Sequence, residues 1–175
     1  VNDPDDASRL PLYFTHFEPV AARKFFPCND EPYDKATTET IVEIDPQYQV
    51  LSNGRKVSDE IVEVEGAGRL RRVHWSQDKP HSTYLVNIAA GQFGNLQDSA
   101  EGVGLEIFTS ESKLSGAQFA LDVLKRSMTF FKNFYGIPYP WARYGMVGIP
   151  SFLWGGMENT TLTSMRESAQ TLDDA

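Results

Sequence analysis

The sequence predicts a mostly β fold with some α: an antiparallel β-sandwich followed by a strand–helix–strand segment. Three observations predict it. Short runs rich in β-branched and aromatic residues recur between turn signals through about residue 110. From Ala117 the apolar residues adopt helical spacing. After Gly136 the chain returns to short apolar runs broken by proline and glycine.

Taken in order, the expected strands are Thr40–Ile44, Tyr48–Ser52, Ile61–Val64, Leu70–Trp75, Thr83–Ala89 and Val103–Thr109. Turns are expected at Asp45-Pro46, Asn53-Gly54, Gly66-Ala67-Gly68 and Asp78-Lys79-Pro80, where Pro fixes φ and Gly or Asn opens positive φ. Ile61-Val62-Glu63-Val64-Glu65 alternates only in part, as a strand with one wet face does. Ala117, Leu121, Leu124, Met128, Phe131 and Tyr135 line one helical face, and this stripe is expected to be core. Ser115 is the expected N-cap and Gly136 the terminator, with Pro138 barring continuation. Tyr144–Ile149 then reads as a strand, Pro150–Trp154 as a loop and Thr160–Met165 as a strand. The composition shifts near Ser99–Gly104, which divides a β domain at 1–100 from a second segment at 101–175.

With 41% hydrophobic and 12% aromatic residues, the chain can bury a core, which excludes a disordered protein. The formal charge of −8 arises in residues 1–66, with 14 acids against 6 bases, and the remainder is balanced. Such an acidic half is a solvated surface whose field favours cationic groups, peptide amino termini among them. Arg69, Arg71 and Arg72 form the only basic cluster, so no nucleic acid partner is expected. No apolar run reaches a membrane span, and Val-Asn-Asp-Pro-Asp-Asp does not read as a signal peptide, so no membrane partner is expected. The single Cys28 excludes an intramolecular disulfide framework and a multi-cysteine metal site. It reads as packing, and the compartment stays open.

The residues best suited to bind something are Gly155-Gly156-Met157-Glu158-Asn159. Glycines let an extended peptide approach their backbone and pair with it as an added strand. Glu158 sets a carboxylate where that peptide would begin, and a carboxylate on an α-ammonium makes a charge-assisted hydrogen bond. Glu18, between Phe17 and Pro19, is the candidate second carboxylate. His16, two residues earlier, would share its face in an extended segment. Arg23 is expected to pair with Asp30 or Glu31 as a structural ion pair. His16, His74 and His81 have no metal-ligand spacing, and no histidine follows His81, so an H-E-x-x-H helix cannot occur within these residues.

Together these stretches resemble the zinc aminopeptidases of the aminopeptidase N and leukotriene hydrolase family. The segments that carry the resemblance are FEPVAARKFFPCNDEP at 17–32, FYGIPYP at 134–140 and VGIPSFLWGGMEN at 147–159, in family order. The resemblance implies the later part of a saddle-like β domain, then the opening strand–helix–strand portion of a thermolysin-like catalytic domain. It implies that Glu158 and Glu18 hold a substrate's free amine and that Gly155, Gly156 and Met157 line its backbone. Asn159 closes that motif, and His16 stands near the first side-chain pocket. It also implies zinc in a full-length parent, with no zinc ligand in this chain, which would make it an inactive internal piece. The implied partners are peptides with a free N-terminus and the remainder of the catalytic domain. A non-catalytic peptide-binding module, or an acidic β domain with no ligand, are the alternatives.

Overall fold

Two three-stranded antiparallel sheets dominate the N-terminal part of the computed structural model, which describes residues 1–171. The strands in chain order are β1 (Tyr13–Phe14), β2 (Ala36–Ile44), β3 (Gln49–Ser52), β4 (Arg55–Val64), β5 (Gly68–His81) and β6 (Ile88–Gly91). One sheet has the order β1-β6-β3 and the other β2-β5-β4. Trp75 of β5 donates its indole N–H to the Val50 carbonyl of β3 (3.1 Å), joining the sheets across a core that holds Val50, Leu51, Val73 and Ala89. A buried indole needs such a partner, so one residue supplies both apolar bulk and register.

Local chemistry explains most of the hairpins. Gly54 turns the chain between β3 and β4 at φ 78°, where a Cβ would lie 2.0 Å from the Ser76 carbonyl oxygen. Only glycine fits there. Gly66 and Gly68, also at positive φ, close the β4–β5 turn. The arginine cluster is absorbed across the strands: Arg69 meets Glu63 (3.8 Å), Arg71 meets Asp59 (2.6 Å) and Arg72 meets Glu43 (2.5 Å).

Two expectations fail in this unit. Asp78-Lys79-Pro80 is no turn; it lies inside β5, opposite a register shift between Ala36 and Thr38 of β2. A bulge accommodates a proline that has no N–H to offer the ladder. Thr83–Ala89 is not one strand either, because Thr83–Leu85 makes a 3-10 turn and β6 begins only at Ile88. The cause is Asn53, whose side chain donates to the Leu85 carbonyl (3.0 Å) and accepts the Asn87 N–H (2.7 Å). Backbone groups satisfied by a side chain leave no ladder to extend.

The later strands, β7 (Gly94–Ala100), β8 (Val103–Thr109), β9 (Arg143–Ile149), β10 (Gly156–Met157) and β11 (Leu162–Arg166), form a five-stranded sheet ordered β10-β11-β9-β8-β7. Strands β8 and β9 are parallel, with α1 (Leu114–Tyr135) as their crossover. The helix begins at Leu114 rather than after Ser115, because a 3-10 turn at Glu111–Lys113 runs directly into it. Gly136 ends it as expected, in the left-handed region at φ 68°. A short helix, α2 (Glu167–Gln170), follows β11. Among the described residues no helix is long and apolar enough to cross a membrane.

The helical stripe is core only in its first half. Ala117 and Leu121 are buried against Val103, Leu105 and Ile107, with Leu124 and Met128 beside them. Phe131 and Tyr135 are instead 51% and 64% exposed. Length is the reason. A helix of 22 residues extends ~33 Å, whereas the seven-residue strands under it span only ~23 Å, so its last turns overhang the sheet.

Clustering of contacts divides the chain into two compact units that ignore chain order. One contains Leu10–Gln92 and Glu158–Leu162, the other Val1–Arg9, Phe93–Met157 and the residues from Thr163 on.

Candidate functional site

Among the described residues strand β10 is the outermost of its sheet, so one of its edges pairs with β11 and the other is open. Gly156 opposes Met165 and Met157 opposes Ser164. A Cβ on Gly156 would lie 2.8 Å from the Met165 sulfur, so glycine lets the two strands close up. A Cβ on Gly155 would meet nothing within 4 Å, and both glycines are exposed while Met157 is buried. An open edge flanked by bare backbone can accept another strand.

Glu158 follows Met157 directly and is exposed. The residues after it are held inside the first unit by buried amides. Asn159 donates to the Val86 carbonyl (3.4 Å), Asn53 to the Thr160 carbonyl (2.5 Å) and Asn87 to the Leu162 carbonyl (2.9 Å). The Gly54 N–H reaches the Thr161 hydroxyl at 2.6 Å. Among the described residues the buried Asn159 Oδ1 has no hydrogen-bond partner.

On the same unit, Glu18 is exposed immediately after buried Phe17, which clusters with Ala22 and Val86. Phe26, Cys28 and Tyr84 pack around that cluster, so Cys28 does serve as packing, though only half-buried. The Phe17 carbonyl accepts the Ala21 N–H (2.8 Å), closing a turn that presents Glu18 outward; the Glu18–Pro19 peptide is cis. Neither Glu18 nor Glu158 has an ion pair or hydrogen bond among the described residues, so each carboxylate is available to a cation. Their segments share Val86 as a common neighbour.

Arg23 takes Asp30 and not Glu31, through Nε at 3.2 Å, with its backbone N–H also on Asp30 (3.2 Å). Burial pushes the Asp30 carboxyl up, but the bonds from Arg23 and Thr83 outweigh it and hold the group below the usual carboxylate range. His16 is half-buried, and the strand before it ends at Phe14 while a turn begins at Glu18. His81 is buried, its Nε2 2.9 Å from the Thr38 hydroxyl, and burial lowers it to about 4.

Asn53 and Asn87 escaped the sequence reading. Asn53 signalled only a turn, and nothing local marks either amide as buried. Among the described residues no group of three or more His, Cys, Asp or Glu side chains is arranged to hold a metal ion.

Residues 4–85 match the Peptidase M1 N-terminal domain and residues 119–175 the Peptidase family M1 domain. Over 161 residues the chain is 36% identical to Aminopeptidase M1-C of Oryza sativa subsp. japonica, covering 91% of this chain and 18% of that protein. It is 35% identical over 161 residues to Aminopeptidase M1 of Arabidopsis thaliana, with the same coverage of 91% and 18%. Aminopeptidase M1-D of Oryza sativa subsp. japonica is 38% identical over 154 residues, 87% of this chain and 17% of its own length. The chain belongs to the peptidase M1 family, and it spans under a fifth of the length of these curated relatives.

Proposed function

We propose that this chain is the amine-anchoring part of a zinc-dependent aminopeptidase, holding the free N-terminus of a peptide for removal of its first residue. The observation that carries the reading is an exposed Glu158, with no ion pair among the described residues, that follows in sequence the glycines of strand β10. Glu158 is the principal anchor, through a charge-assisted bond to the α-ammonium. Glu18 is the second carboxylate, carried on the unit that also holds Glu158. Asn159 steadies the segment after Glu158 through the Val86 carbonyl, and a peptide backbone could approach Gly155 without meeting a side chain of that residue. His16, two residues before Glu18 in the chain, is assigned to the first side-chain pocket.

The zinc implied by the resemblance would supply a Lewis acid and an activated water in the parent. The described residues do not fit a zinc site, so no metal step is assigned to them. Their task is to bind and orient. A further proposed partner is the remainder of the catalytic domain. The overhanging Phe131 and Tyr135 border a groove of about 810 Å³ that this partner would cover.

Calorimetry with Leu-Gly-Gly and its N-acetyl form tests the anchor. The free peptide is expected to bind, the acetylated one not, and Glu158→Gln is expected to weaken binding at least tenfold. Equal binding of both peptides, or an unaffected Glu158→Gln variant, would overturn it.

A further inference from the structure

Three of the four carbonyls from Phe152 to Gly155 accept hydrogen bonds from one residue, Arg166. Its Nε donates to Phe152 O (2.9 Å), its Nη2 to Leu153 O (2.7 Å) and its backbone N–H to Gly155 O (3.0 Å). Arg166 ends β11 and precedes α2, so both elements fix its backbone. Its guanidinium forms no ion pair among the described residues; the charge is directed wholly at backbone oxygens. A planar guanidinium presents several donors in a rigid fork, which a lysine ammonium cannot reproduce.

The loop it grips leads directly into β10. Phe152 is buried, but Leu153 is 77% and Trp154 50% exposed, so the next two side chains add little apolar anchorage. Ser151 lies in the left-handed region at φ 57°, a conformation disfavoured for serine and held here by its surroundings. Without the guanidinium, Leu153 and Phe152 would each lose a charge-assisted bond, and the approach to Gly155 would rest on the Gly155–Arg166 ladder bond.

We infer that Arg166 is a positioning residue that holds the Phe152–Gly155 loop so that the open edge of β10 stays straight for an incoming peptide backbone. The inference rests on the peptide-anchoring reading above. It concerns shape at the edge and not contact with the amine, so Arg166 acts through the loop.

The test combines hydrogen exchange with calorimetry on the 175-residue chain and its Arg166→Ala and Arg166→Lys variants. Amides of Leu153–Met157 are expected to exchange at least tenfold faster in Arg166→Ala, with β8 and β9 unchanged and Arg166→Lys intermediate. Leu-Gly-Gly is expected to bind roughly tenfold more weakly to Arg166→Ala, with part of the loss restored by added guanidinium ion. Unchanged exchange at the loop would overturn the inference, as would equal acceleration throughout β8 and β9. If the unaltered chain binds no free-amine peptide, the anchoring reading fails by itself, while the exchange pattern still decides the role of Arg166.

Discussion

Asn159 places its side-chain amide 3.4 Å from the Val86 carbonyl, and Val86 clusters with Phe17, the residue immediately before Glu18. One buried amide thus ties the turn after Glu158 to the segment that presents Glu18. Asn159→Ala would leave the Val86 oxygen buried without that donor, a loss of ~1–3 kcal/mol. Urea unfolding of the variant is expected to show it, and a shift within experimental error would mean the amide is idle.

Gly54 is the most constrained of the turn glycines, because its Cβ would overlap the Ser76 carbonyl and its φ is 78°. Gly54→Ala therefore combines backbone strain with displacement of β5 and is expected to destabilise by at least ~2 kcal/mol. Gly66→Ala keeps the strain but meets open space, so it should cost about 1 kcal/mol. Thermal denaturation of the two variants side by side checks the order.

Burial depresses His81 from 6.5 to about 4. The unfolded chain then binds the extra proton first as pH falls, so stability from neutral His81 is complete above about pH 6.5. It is lost as pH falls from there toward 4, in total roughly 3 kcal/mol. In His81→Gln that component of the pH dependence should vanish. Unfolding free energies at pH 7 and pH 4.5, compared between the two proteins, measure it.

Glu167 is buried and accepts bonds from the Thr109 hydroxyl (2.9 Å), the Ser110 N–H (3.1 Å) and Lys113 Nζ (3.1 Å). Burial alone would lower the Lys113 pKa, but its bonds to Asp5 and Glu167 reverse this and raise it. Removing the carboxylate leaves Lys113 with Asp5 alone and takes the buried acceptor from Thr109 and Ser110, so Glu167→Ala is expected to lose ~3 kcal/mol. Glu167→Gln, which keeps the shape and some acceptor capacity, should lose less. Chemical denaturation of the two variants tests the difference.

Much of this architecture was legible residue by residue. Asn53-Gly54 and Gly66-Ala67-Gly68 were recognisable as turns because only glycine tolerates the φ they need. Val103–Thr109 emerged with the bounds observed, since both its neighbours and its own alternation mark it. Strand β7 escaped notice because Gly94–Ala100 has a single large apolar residue, Leu96, and its partner supplies the pairing. Helical spacing puts Phe131 and Tyr135 on the core face, yet both are exposed, because spacing reports a shared face and says nothing about what covers it.

The sequence by itself determined the local order of strands, turns and helix, and the five residues from Gly155 to Asn159 as the candidate anchor. Turn chemistry and side-chain period act over a few residues, so they can be read from neighbours. Only the tertiary structure decided that Glu158–Leu162 joins the unit carrying Glu18. Asn53 and Thr160, which help hold it there, lie 107 residues apart. Nothing in either neighbourhood reveals their bond, because it depends on where two distant backbones pass once the core has closed.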